Sequence, residues 1–226
     1  MAFGVPNKFK SLPKEGEAVT IIMRKPEEGE EAIVANGVSR GDVNVWTNTN
    51  RSITAEMEKD FFKNQAEDKN SVFWIIAIAE DENDNIGRPI GVTSIGDIKD
   101  RRGGSGCIIF DMSLWGKGIA SACHRARCFY AFSRLNLRAI DSSVIYGNNG
   151  SLKALLGVGY ASTGTIYGAH FNNGTWHHAH TLMWVNPNED VWNEFWRESE
   201  PPAEFVEARK KAELALEWAK ENVTFL

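Results

Sequence analysis

Between Val72 and Leu114 the chain carries three apolar runs, VFWIIAIA, IGVTSIGDI and CIIFDMSL, separated by the short polar turns DENDNIG and RRGGSG. Short apolar runs this close together, with glycine and asparagine between them, predict an antiparallel three-strand meander. The first run is apolar almost throughout and is expected to be buried on both faces. Arg88-Pro89 opens the second strand, where a missing N–H is tolerated. The third, Cys107 to Leu114, leads into WGKGIA and then an alanine-rich helix expected from about Ile119 to Asn136.

Two glycines around a lysine at a strand-to-helix junction raise a chemical question. Glycine lets the backbone come close to a ligand or adopt positive φ, and a helix that begins there aims unpaired N–H groups outward. That arrangement takes phosphate without a cluster of charges. The plain alternative is a tight turn with no ligand, and the loop alone does not choose between them.

Around this centre the other elements follow. Val19 to Arg24 reads as a strand and Glu30 to Ala35 as a helix, with a long polar loop from Asn36 to Arg51. Thr54 caps a helix whose inward face is expected to carry Met57, Phe61 and Gln65. Arg138 to Tyr146 is a strand, and a short helix begins at Ser151. TGTIYGAHF and TWHHAHTLMWV flank Asn173-Gly174, a strong hairpin signal. From Pro187 the chain turns acidic, and its last helix places Phe205, Ala208, Ala212, Ala215 and Ala219 on one stripe.

Composition narrows the function. A formal net charge of -5 argues against a nucleic-acid partner, and no run is long and apolar enough for a membrane span. Cys107, Cys123 and Cys128 form no C-x-x-C pair and no even framework, so a reduced, cytoplasmic protein is the simplest reading.

The order strand, two helices, meander, glycine loop, helix, strand, helix, hairpin resembles the GNAT superfamily of acetyl-CoA-dependent N-acetyltransferases. Within it the chain looks like the ribosomal-protein acetyltransferases of the RimJ/RimL type. WGKGIA, followed by N-x-x-S-L-x-x-L-x-x-x-G-Y from Asn148 to Tyr160, carries the resemblance together with RPIGVTSIGDI and LMW. It implies an α/β, mixed-sheet GNAT fold over residues 18–186, an N-terminal extension over 1–17 and an extra acidic helical extension over 187–226.

The resemblance also implies a donor site for acetyl-CoA. The pyrophosphate would lie on Gly116, Lys117, Gly118, Ile119, Ala120 and Ser121, and the pantetheine arm beside Phe110, Asp111 and Met112. Asn148 would meet that arm from the other side. Trp115 stands where the family commonly has Gln or Arg. Trp46, Asn48 and Arg51, in the loop that shapes the acceptor side of such enzymes, are the substrate-binding candidates.

Direct transfer to an amine needs a base, stabilisation of the thioester oxygen and a way to protonate or shield the departing thiolate. His170 is the first base candidate, since it falls near the position of a glutamate in ribosomal-protein acetyltransferases. A two-residue Asn173-Gly174 turn would also set it opposite His177, where two imidazoles resist joint protonation. Asp97 is the second candidate. Ser151 is the candidate acid, with helix capping as its plain alternative, and Leu155 replaces a tyrosine that many family members carry. No third ligand accompanies the histidines, so no metal is expected. The acceptor is then a protein N-terminus or a small amine, with a homodimer as a further partner, and a binding module that senses acetyl-CoA without turnover is the alternative.

Overall fold

The computed structural model describes residues 3–47 and 51–226. Its centre is one sheet built from β1 (Asn7–Lys10), β2 (Thr20–Arg24), β3 (Val72–Ile78), β4 (Arg88–Lys99), β5 (Arg102–Ile109), β6 (Ala139–Ile145), β7 (Tyr160–Asn172), β8 (Thr175–Val185) and β9 (Thr224–Phe225). Their order across the sheet is β7-β8-β6-β5-β4-β3-β2-β1-β9. All neighbours run antiparallel except β5 and β6, which are parallel.

β3 shows why the sheet is covered on both sides. Side chains alternate along a strand, and Phe73 and Ile75 join one cluster while Val72, Trp74 and Ile76 join another. The first cluster lies under α1 (Glu31–Val38), α2 (Gly41–Asn44) and α3 (Ala55–Glu67), through Val34, Val43 and Phe62. The second lies under α4 (Ile119–Ser133) and α7 (Ala203–Asn222), through Ala122, Tyr130 and Ala219. α5 (Asn149–Leu156) follows β6, and α6 (Glu189–Phe195) follows β8.

A buried ion pair ties β2 to the start of α1. The Arg24 guanidinium donates to both carboxylate oxygens of Glu30, at 2.9 and 2.6 Å, and both residues are buried.

Several expectations need correction. The β4–β5 turn is not RRGGSG. It is Asp100-Arg101, with φ of 51° and 62°, so the glycines that follow lie inside β5. Positive φ at both central residues matches the twist of the flanking strands, as in a type I′ turn. The third strand therefore covers Arg102 to Ile109 and ends before Leu114, where a short 3-10 turn spans Met112–Leu114. On α3 the buried stripe is Glu58 and Phe62, while Met57 and Phe61 are exposed, so the helix is rotated from the expected face.

Both ends of the chain join the same sheet. Segment 1–17 supplies β1, and the final residues supply β9, which pairs with β1. The stripe Phe205, Ala208, Ala212, Ala215 and Ala219 is buried within the chain, so it is consumed by intramolecular packing rather than offered to a partner.

Candidate active site

β5 and β6 pair only at Arg102–Ala139, Gly103–Ile140 and Gly104–Asp141. β5 runs on to Ile109 and β6 to Ile145 without further pairing, so the two strands diverge into a fork. Strand groups that lack a ladder partner need another acceptor or donor, and an amide-bearing chain inserted along the fork would provide both.

The open end of the fork leads to the glycine loop. Gly116 and Gly118 have φ of 77° and 72°, and Gly118 is the N-cap of α4. A side chain on Gly116 would meet nothing within 4 Å, whereas one on Gly118 would run into the Leu12 carbonyl. The first helical bond is Ala122 N–H to Gly118 O, so the N–H groups of the preceding turn have no acceptor within the helix. Open space on Gly116 and free amides on α4 suit a diphosphate. The Trp115 indole, in place of a cation, donates to Ile109 O at 2.9 Å.

On the α1–α3 face, beside the fork, lies a cleft of about 580 Å³ lined by Gly104, Ser105, Asp141, Ser143, Thr163 and Thr181. A second hollow of about 340 Å³ adjoins it, sharing Arg102, Gly104 and Asp141. Arg102 grips Asp141 in a two-point ion pair, at 2.5 and 2.7 Å. Asp97, Asp100 and Asp141 in this second hollow are matched by Lys99, Arg102 and Arg138.

Residues 20–161 match the acetyltransferase (GNAT) domain family. The chain belongs to the GNAT acetyltransferases.

Solved structures agree on the fold. Mycobacterium smegmatis RimJ in complex with CoA-disulfide is 14% identical with a TM-score of 0.69, over 100% of this chain and 99% of that one. Spermidine N-acetyltransferase from Vibrio cholerae, with CoA and spermine, is 17% identical with a TM-score of 0.66, over 74% of this chain and 95% of the other. Ribosomal-protein-S5-alanine acetyltransferase from Vibrio fischeri is 21% identical with a TM-score of 0.64, over 78% and 98%. No curated protein matches the chain. Acetyl-CoA is the acetyl donor of this GNAT enzyme, and the fork with its free amides fits it.

The structure places the remaining candidates of this acetyltransferase as follows. Phe110 sends its ring under α1, against Gly37, and its N–H donates to Ile90 O at 2.9 Å, on the β4 side. Asp111 caps the 3-10 turn through Ser113 and pairs with Arg88 at 3.2 Å, and Ser113 and Arg88 hold its carboxyl below the usual range. Met112 is exposed next to the Arg40 guanidinium.

Asn148, rather than Ser151, caps α5. Its Oδ1 accepts from Ser151 N–H at 3.1 Å, which leaves the amide nitrogen for another contact and the Ser151 hydroxyl free of the capping task. Leu155 is buried in the core.

His170 does sit opposite His177, on the hairpin whose β8 strand lines the cleft at Thr181, four residues from His177. β8 passes Asp141 at Met183 and leaves β6 at Ala179, so His177 lies six residues beyond Met183. That is about 20 Å of strand. The Nδ1 of His170 is buried without a hydrogen-bond partner, and Asn172 beside it donates to Asn44 O on α2. Asp97, by contrast, lines the second hollow, in a β4 bulge with φ of 52°. Trp46 is half-buried where the chain leaves β6, 3.6 Å from where a side chain on Gly147 would sit. Arg51 is exposed, and Asn48 lies outside the described residues.

Besides the paired Arg24 and Glu30, two buried charged residues outside any ion pair among the described residues escaped the sequence reading. Burial raises the Glu58 carboxyl to about 7. Arg127 is fully buried below the fork. Helical spacing could have flagged Glu58, four residues before Phe62, had the stripe been set correctly. Burial pushes the thiols of Cys107, Cys123 and Cys128 up, which disfavours their thiolates. No group of three or more His, Cys, Asp or Glu among the described residues could hold a metal ion, and no described helix is long and apolar enough to cross a membrane.

Proposed function

We propose that this acetyltransferase, of the RimJ/RimL type, moves the acetyl group directly to the α-amine of a protein or peptide N-terminus. Acetyl-CoA supplies the activated acetyl group. The amides of Ile119, Ala120 and Ser121, with Gly116, Lys117 and Gly118, hold the diphosphate. The β5 edge up to Phe110, Asp111 and Met112 takes the arm on one side, and Asn148 meets it on the other.

The observation that carries the acceptor class is the charge balance beside the fork. A di- or tri-cationic small amine calls for surplus carboxylates. Here Asp97, Asp100 and Asp141 face Lys99, Arg102 and Arg138, and hydroxyls of Ser143, Thr163 and Thr181 line the rest. Such an open, neutral, hydrogen-bonding floor suits a peptide backbone. Trp46, Asn48 and Arg51 are the residues assigned to contact the peptide.

Asp97 is assigned the proton of the acceptor ammonium. It forms none of the ion pairs found among the described residues, while Asp141 is held by Arg102. A non-glycine residue at positive φ beside a cleft is strained, and strain of this kind gathers at functional sites. Ser151, released from capping, shields or protonates the departing thiolate.

The test is acetyl-CoA consumption with a library of N-terminal peptides beside spermidine and other small amines. Peptide turnover supports the reading, and turnover confined to polyamines overturns the acceptor class. Binding of acetyl-CoA with no turnover on any amine makes the protein a sensor.

A further inference from the structure

Arg127 has no exposed surface, and none of the ion pairs among the described residues includes it. Its neighbours offer no negative charge either. Burial raises the Cys107 thiol, the Cys128 thiol to about 11, and the Tyr160 phenol, so all three stay neutral. A lone buried cation is expensive, and an apolar residue of similar volume would fill the space at less cost.

What the guanidinium touches gives it a use. Nη1 donates to Thr93 Oγ1 at 2.9 Å and to Gly106 O at 2.8 Å. Nη2 donates to Ser105 Oγ at 3.1 Å and to Tyr160 Oη at 3.3 Å. Thr93 Oγ1 donates to the same Gly106 carbonyl, at 2.8 Å. One peptide oxygen thus receives a cationic donor and a hydroxyl.

The N–H of that peptide belongs to Cys107. Phe110 N–H donates to Ile90 O on β4, and backbone groups alternate sides along a strand. Ile108 and Gly106 therefore point towards β4, while Ile109 and Cys107 point into the fork. The peptide plane sets the Gly106 carbonyl and the Cys107 N–H on opposite sides, so polarising one strengthens the other.

We propose that Arg127 is a positioning residue: with Thr93, it holds and polarises the Gly106–Cys107 peptide so that the Cys107 N–H is a strong donor to the acyl oxygen in the fork. This rests on the reading above, in which the fork takes the thioester of acetyl-CoA. A preorganised donor aimed at developing charge lowers the barrier without tightening the ground state by the same amount.

The test compares wild type, Arg127→Met, Arg127→Lys and Thr93→Val. In the unliganded proteins, the Cys107 amide proton resonance is expected to move upfield in Arg127→Met and Thr93→Val. With carbonyl-labelled acetyl-CoA bound, the thioester stretch should rise in frequency in both variants. kcat should fall about tenfold, with CoA affinity held within about twofold. Arg127→Lys should recover part of the rate, because it returns the charge.

An unmoved Cys107 resonance and thioester stretch in either folded variant would overturn the proposal, and so would a loss of kcat that tracks a loss of CoA affinity. Should Arg127→Met fail to fold, Thr93→Val decides by the same readouts. If wild type binds no acetyl-CoA, the donor-site reading itself has failed, which is a different result.

Discussion

The Leu12 carbonyl occupies the space that a side chain on Gly118 would need. The N-terminal segment therefore closes one side of the glycine loop, and Gly116 remains open on the other. The two glycines serve different masters, one packing and one ligand approach.

Alanine at each position should separate these roles. Gly116→Ala introduces positive-φ strain of about 1–2 kcal/mol and a methyl group in the space left for the diphosphate. It is expected to weaken CoA binding about tenfold or more while leaving a cooperative melt. Gly118→Ala carries the same strain plus a collision with backbone, so thermal melting should show the larger loss of stability there.

Asp97→Asn should lower kcat on a peptide acceptor by about tenfold to a hundredfold, with CoA affinity intact. His170→Ala, about 20 Å along the hairpin from Asp141, should stay within about threefold of wild type. Steady-state kinetics of the two variants side by side checks the assignment. The reverse ranking would return the base to His170.

Glu58 makes stability depend on pH in a definite direction. Burial raises its carboxyl to about 7, against 4.5 for an ordinary glutamate. The folded state then holds a proton that the unfolded state has released, so stability drops as pH rises from about 4.5 through 7. Glu58→Gln removes this drop. Calorimetry should show the melting temperature of the variant gaining on wild type between pH 5 and pH 8.

The Arg24–Glu30 pair should behave as a buried ion pair does when one side is removed. Both side chains are at most 10% exposed. Glu30→Ala strands the guanidinium between β2 and α1, and chemical denaturation should report a loss of about 3–5 kcal/mol.

Much of the centre was legible because its signals are local. The continuous run of β3, the Asn173-Gly174 hairpin and the glycine junction before α4 each follow from neighbouring residues. The α7 stripe was legible for the same reason, through its helical period. β1, β9, α2 and α6 were not, since strands of four residues or fewer and helices of about two turns or fewer show no clear period. The glycines of β5 read as a turn, yet Asp100-Arg101 makes the turn itself, with two non-glycine residues at positive φ. At the site, the loop and Asn148 came from motif. The roles of Arg127 and Asp97 depend on contacts between distant segments, such as α4 with β4 and β5, which no spacing along the chain reveals.

The donor is assigned to the β5–β6 fork, with its diphosphate on α4. Amide hydrogen exchange with and without saturating CoA tests this assignment most directly. Slowed exchange is expected at Cys107 and Ile109 on β5 and at Ile119, Ala120 and Ser121 at the start of α4, with little change at β1 and β9. Protection confined to other segments, or none at saturating CoA, would contradict it.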